Sequence, residues 1–138
     1  MIIDDQTALY ILNTRPAFED LRQVVSQLAG ILVLAAAKQK SDRPNLEPTI
    51  RLHRQAEESL RARPATAQAA DHHRHLLHAS KNLHIALQRA ATKIDVDDIL
   101  PVLRCGYEAL QKASQTLPGF EMVAFEQGCC SVLSHKKP

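Results

Sequence analysis

Apolar residues recur at alternating spacings of three and four along most of the chain, which is the pattern of helices that bury one face. The first run predicts a helix over about 15–40, capped by Asn13 or Thr14. Before Pro16 we expect a short separate segment, residues 1–14, of one or two helical turns. The apolar seam of helix one consists of Phe18, Leu21, Val25, Leu28, Leu32 and Ala35.

Three further periodic segments follow, each bounded by a proline or a turn. Helix two is expected over about 46–61 and helix three over about 66–93. Helix four begins at Asp98, its predicted N-cap, so that Pro101 falls in the first turn. Residues 118–138 have no helical period and predict an irregular C-terminal tail. The seams of these helices are Leu46, Ile50, His53, Ala56 and Leu60; then Ala69, His73, Leu76, Ser80, Leu83, Leu87, Ala90 and Ile94; then Ile99, Leu103, Gly106, Leu110, Ala113 and Leu117.

Four amphipathic segments with short connections predict an all-α fold, an antiparallel up-and-down helical bundle of about four main helices. We expect a single helical-bundle domain over residues 1–138. The composition agrees, because glycine is scarce, tryptophan is absent and aromatic residues make up only 4% of the chain. A core built from Leu, Ile, Val and Ala favours helices over strands.

Charge and motifs narrow the classes of function. The net charge is +2, and the basic residues are spread among acidic ones, which argues against a nucleic-acid groove. Neither G-x-G-x-x-G nor G-x-x-x-x-G-K occurs, so we expect no nucleotide cofactor. No G-x-S-x-G nucleophile elbow is present, so Ser–His–Asp catalysis is not predicted either.

Three features indicate a cytoplasmic protein without a membrane anchor. The start, MIIDDQTALY, has no basic region before an apolar one, so no export signal is predicted. The apolar stretch VVSQLAGILVLAAA is shorter than the roughly 20 residues that a membrane span needs. The odd cysteine count indicates reduced thiols, and we expect Cys105 to be a buried hydrophobic residue. The other two cysteines, Cys129 and Cys130, lie in the tail.

Histidines are concentrated in helix three, where the stretch DHHRHLLHASKNLHIAL holds five of the seven. A rotation of roughly 100° per residue spreads them around the helix. His73 is placed at the edge of the apolar seam, whereas His78 points almost directly away from it. The remaining three, His72, His75 and His84, are placed on the opposite edge, outside the seam and beside it, respectively.

Two inward histidines, His73 and His53, could belong to a metal or haem site in the bundle core. Such bundles use Glu-x-x-His pairs, and this chain has none. The simpler interpretation is that both are partly buried and form hydrogen bonds with Ser80, Glu57 or the backbone.

A second candidate metal site lies on the outward face of helix three, where Asp71, His75 and His78 are spaced four and three residues apart. Three such ligands could hold zinc. Arg74 and Lys81 stand on the same side and disfavour a cation, so a solvated face explains these residues as well. The tail offers further ligands only if it folds over, through Cys129, Cys130 and His135.

The segment HASKN, residues 78–82, resembles the phosphohistidine segments of two related groups. Histidine phosphotransfer domains carry H-x-x-K and a small residue, and some sensor-kinase dimerisation helices carry H-x-x-K-N and an apolar residue. The resemblance implies that His78 accepts a phosphoryl group, with Lys81 offsetting its charge. Ile85 is expected on the same face, as an exposed apolar residue for docking. Phosphotransfer domains usually have glycine where Asn82 stands, and a solvated polar face would explain the segment without phosphorylation.

These observations predict a non-enzymatic, cytoplasmic interaction or regulatory protein that binds no cofactor. We expect a homodimer, because Val24 and Ile31 widen the apolar stripe of helix one beyond what one neighbour needs. A protein partner is expected at the outer face of helix three. Two alternatives stay open: a histidine phosphotransfer protein that uses His78 with Lys81 and Asn82, and a small metal-binding helical bundle.

Overall fold

The computed structural model describes residues 2–37 and 44–122. Four α-helices hold 80% of these residues. They are α1 (Asp5–Ala36), α2 (Glu47–Ala62), α3 (Ala70–Thr92) and α4 (Val96–Thr116). Neither described range contains a strand. The prediction of an all-α helical bundle is therefore confirmed.

The helices form an up-and-down bundle in which α1 and α3 each contact both α2 and α4. α1 also meets α3 across the centre, and the most extensive contact is between α3 and α4. Gly106 of α4 makes this contact close, because an added Cβ would lie 3.0 Å from the side chain of Leu83. The absence of a side chain at this position lets the two helices approach each other.

Most positions of the predicted seams form the core, whereas five of them are half-buried: Ala35, Leu46, Ile50, His73 and Ile94. Leu28 of α1 and Leu83 of α3 are completely buried, and Ile99 and Leu110 of α4 are buried with them. α2 is the most polar helix and contributes a smaller set, of which Ala56 is fully buried. The interior is thus mainly aliphatic, as the composition predicted.

The N-terminal segment predicted as separate is part of α1, which runs unbroken from Asp5 through Pro16. Its cap is Asp4, whose carboxylate accepts a hydrogen bond from the Thr7 N–H at 2.7 Å. The predicted caps Asn13 and Thr14 lie inside the helix, so that prediction is wrong. Proline removes one backbone hydrogen bond, and burial on both sides of it keeps the helix continuous.

The buried stripe of α1 extends to its N-terminus through polar residues rather than apolar ones. Thr7, Tyr10 and Thr14 are buried at spacings of three and four, and they lead directly into Ala17. Two leucines of the same turns, Leu9 and Leu12, point to solvent. This inversion explains why apolar periodicity did not reveal the first turns of the helix.

α4 begins earlier than predicted. Its N-cap is Asp95, which accepts a hydrogen bond from the Asp97 N–H at 3.1 Å, and the predicted cap Asp98 lies in the first turn. Pro101 is therefore inside the helix rather than in its first turn. The turn before α3 is closed by Thr66, whose hydroxyl accepts from the Ala69 N–H at 3.2 Å.

After α4 the chain turns at Gly119, which has a φ of 93°, and residues 117–122 continue without helix. Phe120 is buried against Phe18 of α1, with ring centroids 5.3 Å apart. Arg22 of α1 donates a hydrogen bond to the carbonyl of Glu121. This short segment covers the N-terminal half of α1. The remainder of the predicted irregular tail, including Cys129, Cys130 and His135, lies outside the described residues.

Candidate functional site

The histidines of α3 divide between opposite faces of the helix. His72 is 1% exposed, His73 and His75 are half-buried, and His78 and His84 are exposed. The sequence placed His73 at the core edge nearest the seam, and the structure gives the buried position to His72. The predicted seam is otherwise buried at Ala69, Leu76, Ser80, Leu83, Leu87 and Ala90, so the difference lies at this one turn.

The outer face of α3 consists of Arg74, Leu77, His78, Lys81 and Ile85, which neighbour one another at helical spacings. Arg74, His78 and Lys81 are exposed, as the sequence predicted for all three. Ile85 is half-buried, so it is not the exposed apolar residue that we expected. That place belongs to Leu77, which is 37% exposed.

Asn82 bears directly on access to His78. Its side-chain amide donates a hydrogen bond to the backbone carbonyl of His78 at 2.9 Å. This bond holds the amide along the helix one turn away instead of across the imidazole. Lys81 is exposed at the neighbouring position, where its ammonium can reach an anion beside His78.

Positive charge borders this face on the side of α4. The pKa of His75 is lowered, first by burial and then by the cations Arg74 and Lys112, whereas Asp71 opposes the shift. Lys112 comes from α4, so two helices contribute to the same basic border. Its contribution was not predicted, because a sequence pattern on one helix does not show what the next helix places beside it.

The three outward zinc candidates, Asp71, His75 and His78, contact or neighbour basic side chains and do not converge on one point. The carboxylate of Asp71 forms an ion pair with Arg74 at 3.2 Å. Within residues 2–37 and 44–122, no group of three or more His, Cys, Asp or Glu side chains is arranged to hold a metal ion. His75 and His78 lie beside cations rather than facing a shared ligand position.

A Ser–His–Glu group is buried between α2 and α3. His53 Nε2 lies 2.8 Å from the carbonyl oxygen of Ser80, which only accepts, so this nitrogen carries the proton. The Ser80 hydroxyl in turn donates to Glu57 at 3.3 Å. His53 therefore cannot take the serine proton through Nε2, and burial lowers its pKa. For His53 the predicted hydrogen bond with Ser80 is confirmed, and the group holds α2 to α3. The hydrogen bond of the other predicted histidine, His73, is to Tyr10 instead.

A second buried group, absent from the sequence predictions, joins α1 to α3. Tyr10 lies with its hydroxyl 2.9 Å from His72 Nδ1 and 3.5 Å from His73 Nδ1. Burial raises the pKa of Tyr10 to about 12, so its hydroxyl stays protonated and donates. His72 Nε2 is buried without a hydrogen-bond partner, and the ring packs on Phe120 at 4.0 Å between centroids.

This arrangement favours a neutral His72. Burial, followed by the nearby His73 and His75, lowers the pKa of His72 to about 4. Because Nδ1 accepts the hydrogen bond from Tyr10, the neutral ring carries its single proton on Nε2. A charged ring would need a second proton on Nδ1, which would displace the hydrogen bond that Tyr10 donates. His72 is therefore a structural residue, whereas His78 and His84 of the same helix are exposed to solvent.

One thiol lies within the described residues. Cys105 is exposed on α4. The expectation that it is a buried hydrophobic residue is wrong, because its position one residue from the seam falls outside the contact with α3. None of the described helices is both long enough and apolar enough to cross a membrane.

Comparisons with known protein families, with curated proteins and with solved structures found no match. The function must therefore be argued from the chain's own surfaces.

Proposed function

We propose that the protein is a non-enzymatic interaction or regulatory protein that presents the outer face of α3 to a protein partner. The main supporting observation is that Leu77 is exposed beside exposed His78 and Lys81, on a helix whose other face is buried in the core. An apolar side chain surrounded by polar ones suits an interface that forms and dissociates. Both buried polar groups fix α3 to its neighbours and so hold this face in place.

A photo-cross-linking residue at position 81 tests this proposal in cells that express the chain. We expect a discrete adduct of larger mass, and we expect the added substitution Leu77→Glu to remove it. The control places the same residue at Arg51, which is exposed on α2. Identical adducts from both positions, or none from position 81, would contradict the proposal.

A homodimer is the second part of the proposal. Val24 no longer supports it, because this residue is completely buried within the single chain. Ile31 is half-buried, and the exposed apolar residues of the same helix, Val33 and Leu34, now carry the argument.

The second candidate function is histidine phosphotransfer through His78. The observation that favours it is the bond from Asn82 to the His78 carbonyl, which leaves the imidazole exposed where the resembling domains have glycine. A ring nitrogen of His78 would attack the phosphorus of a donor, and the bond to the leaving group would break. Lys81 would then neutralise part of the phosphate charge.

Phosphoramidate provides the direct test, because ammonia leaves as its phosphorus–nitrogen bond breaks and the bond from phosphorus to the imidazole forms. We expect acid-labile incorporation of phosphate that is abolished by His78→Ala. The matched control His75→Ala, three residues away on the same helix, should leave labelling intact. Labelling that survives His78→Ala would contradict this candidate, and the adduct test above does not depend on it.

A further inference from the structure

The part of α1 that follows Arg22 carries no charged side chain. Residues 23–37 contain no Asp, Glu, Lys, Arg or His, although 23% of the whole chain is Asp, Glu, Lys or Arg. Part of this stretch faces the core through Leu28 and Leu32. The other side faces solvent, and there an uncharged surface needs a reason.

The outward side of this stretch is apolar. Val33 is 67% exposed and Leu34 is 53% exposed. Beside them an open groove of about 660 Å³ lies between α1 and the start of α2, lined by residues that include Ile31 and Pro48. The lining residues that belong to the described part of the chain are all uncharged. Surfaces of this kind mark places where another molecule covers the protein.

Gly30 lies at the edge of this groove, and the single chain does not explain it. An added Cβ would meet nothing within 4 Å, so an alanine would fit without any clash. Glycine inside a helix lowers its stability relative to alanine. A glycine in open space on a helix is explained when a second helix approaches it closely, as Leu83 approaches Gly106 in the core.

We propose that this uncharged face of α1 joins two copies of the chain. The two α1 helices cross at Gly30, and Val33 and Leu34 of each copy enter the groove of the other. An uncharged surface is compatible with a copy of itself, whereas a charged partner would find no opposite charge there. A two-fold contact of this kind pairs the same patch on both copies.

This inference deepens the homodimer in the proposed function, and it uses a surface separate from the outer face of α3. A failure here therefore leaves the α3 proposal standing. The substitution Lys81→Glu serves as the cross-check, because it should disturb the α3 face and leave the mass of the dimer unchanged.

Sedimentation of the chain at about 100 μM, well above the micromolar range of ordinary dimers, tests the proposal. We expect twice the chain mass of 15.3 kDa for the natural sequence. Val33→Lys together with Leu34→Lys should return the mass to that of one chain. Lysine is chosen because it suits the C-terminal end of a helix. The control Leu12→Lys, at a residue 62% exposed on the same helix, should leave the dimer intact.

Gly30→Ala gives a second, independent measurement. In the Val33→Lys/Leu34→Lys background it should raise the thermal midpoint, since the added Cβ improves the helix and meets nothing. In the natural sequence it should raise the dimer dissociation constant at least tenfold, because the Cβ obstructs the crossing.

Three results would overturn the proposal. The first is a natural chain that sediments as a monomer. Binding of an apolar fluorescent dye in the groove of such a monomer would not rescue the proposal. The second is a double lysine variant that remains dimeric. The third is a dissociation constant that Gly30→Ala does not change.

Discussion

The inner and outer faces of α3 carry the same kind of side chain in opposite surroundings. His72 is buried against Tyr10 and Phe120, whereas His78 is exposed beside Lys81. On the inner face, burial keeps the imidazole of His72 neutral, so this side chain serves the packing of the helices. On the outer face solvent access leaves the imidazole free to contact a partner. The density of histidine in a sequence therefore says less than the face on which each one lies.

The largest expected effect belongs to the apolar part of the inner face. Leu83→Ala should lower the free energy of unfolding by about 2–5 kcal/mol, because it leaves a cavity where Leu83 meets Gly106. Urea denaturation at one fixed chain concentration measures this loss. The matched control Leu77→Ala, on the outer face of the same helix, should cost far less. A loss below about 0.5 kcal/mol for Leu83→Ala would show that α3 does not pack as described.

Acid should weaken the fold through His72. Its pKa is about 4 in the folded chain and is ordinarily 6.5, so between these values the unfolded chain binds more protons. The free energy of unfolding therefore falls as the pH decreases from about 6.5 to about 4, by about 3 kcal/mol in total. Denaturation curves at a series of pH values measure it.

His72→Gln isolates this contribution. Burial lowers the pKa of His53 and His73 as well, and these groups weaken the fold in the same direction. Glutamine at position 72 cannot take up the proton, so its variant should show a shallower loss in acid than the natural chain. Equal pH dependence in both would mean that His72 is not the group responsible.

The hydrogen bond from Tyr10 to His72 should have a smaller effect. Tyr10→Phe leaves His72 Nδ1 buried without its closest donor, which costs about 1–3 kcal/mol. In the double variant with His72→Phe, neither polar group is left unpaired. The losses of unfolding free energy for Tyr10→Phe alone and His72→Phe alone, measured by denaturation, should therefore exceed the loss of the double variant when summed. Strict additivity would argue that the 2.9 Å contact contributes nothing to stability.

The apolar seams made most of the fold predictable from the sequence. Leu28, Leu83 and Leu110 each belong to a seam with helical spacing on a different helix, and all three are completely buried. Apolar periodicity did not predict the start of α1, because its buried residues include Thr7 and Tyr10 while Leu9 and Leu12 are exposed. Pattern reasoning assigns apolar residues to the core, and it fails where polar groups satisfy one another inside.

The candidate site was predictable only in part. The periodicity of α3 alone was enough to place His78 and Lys81 on its solvent-facing side, because that placement needs no information about the other helices. The burial of His72 depends on Tyr10 and Phe120, which lie far away in the sequence. The position of Lys112 depends in the same way on how α4 packs. Contacts between distant segments follow from the assembled fold and not from local spacing.

The smallest effect is expected on the outer face. His78→Ala removes an exposed side chain from a helix, and alanine is the better helix former, so the free energy of unfolding should change by less than about 0.5 kcal/mol. Urea denaturation at neutral pH measures this change. A loss above about 1 kcal/mol would mean that His78 is held by contacts within the fold, because an exposed imidazole has no such contacts to lose. The contrast with His72 would then disappear, and with it the physical basis for assigning partner contact to this face.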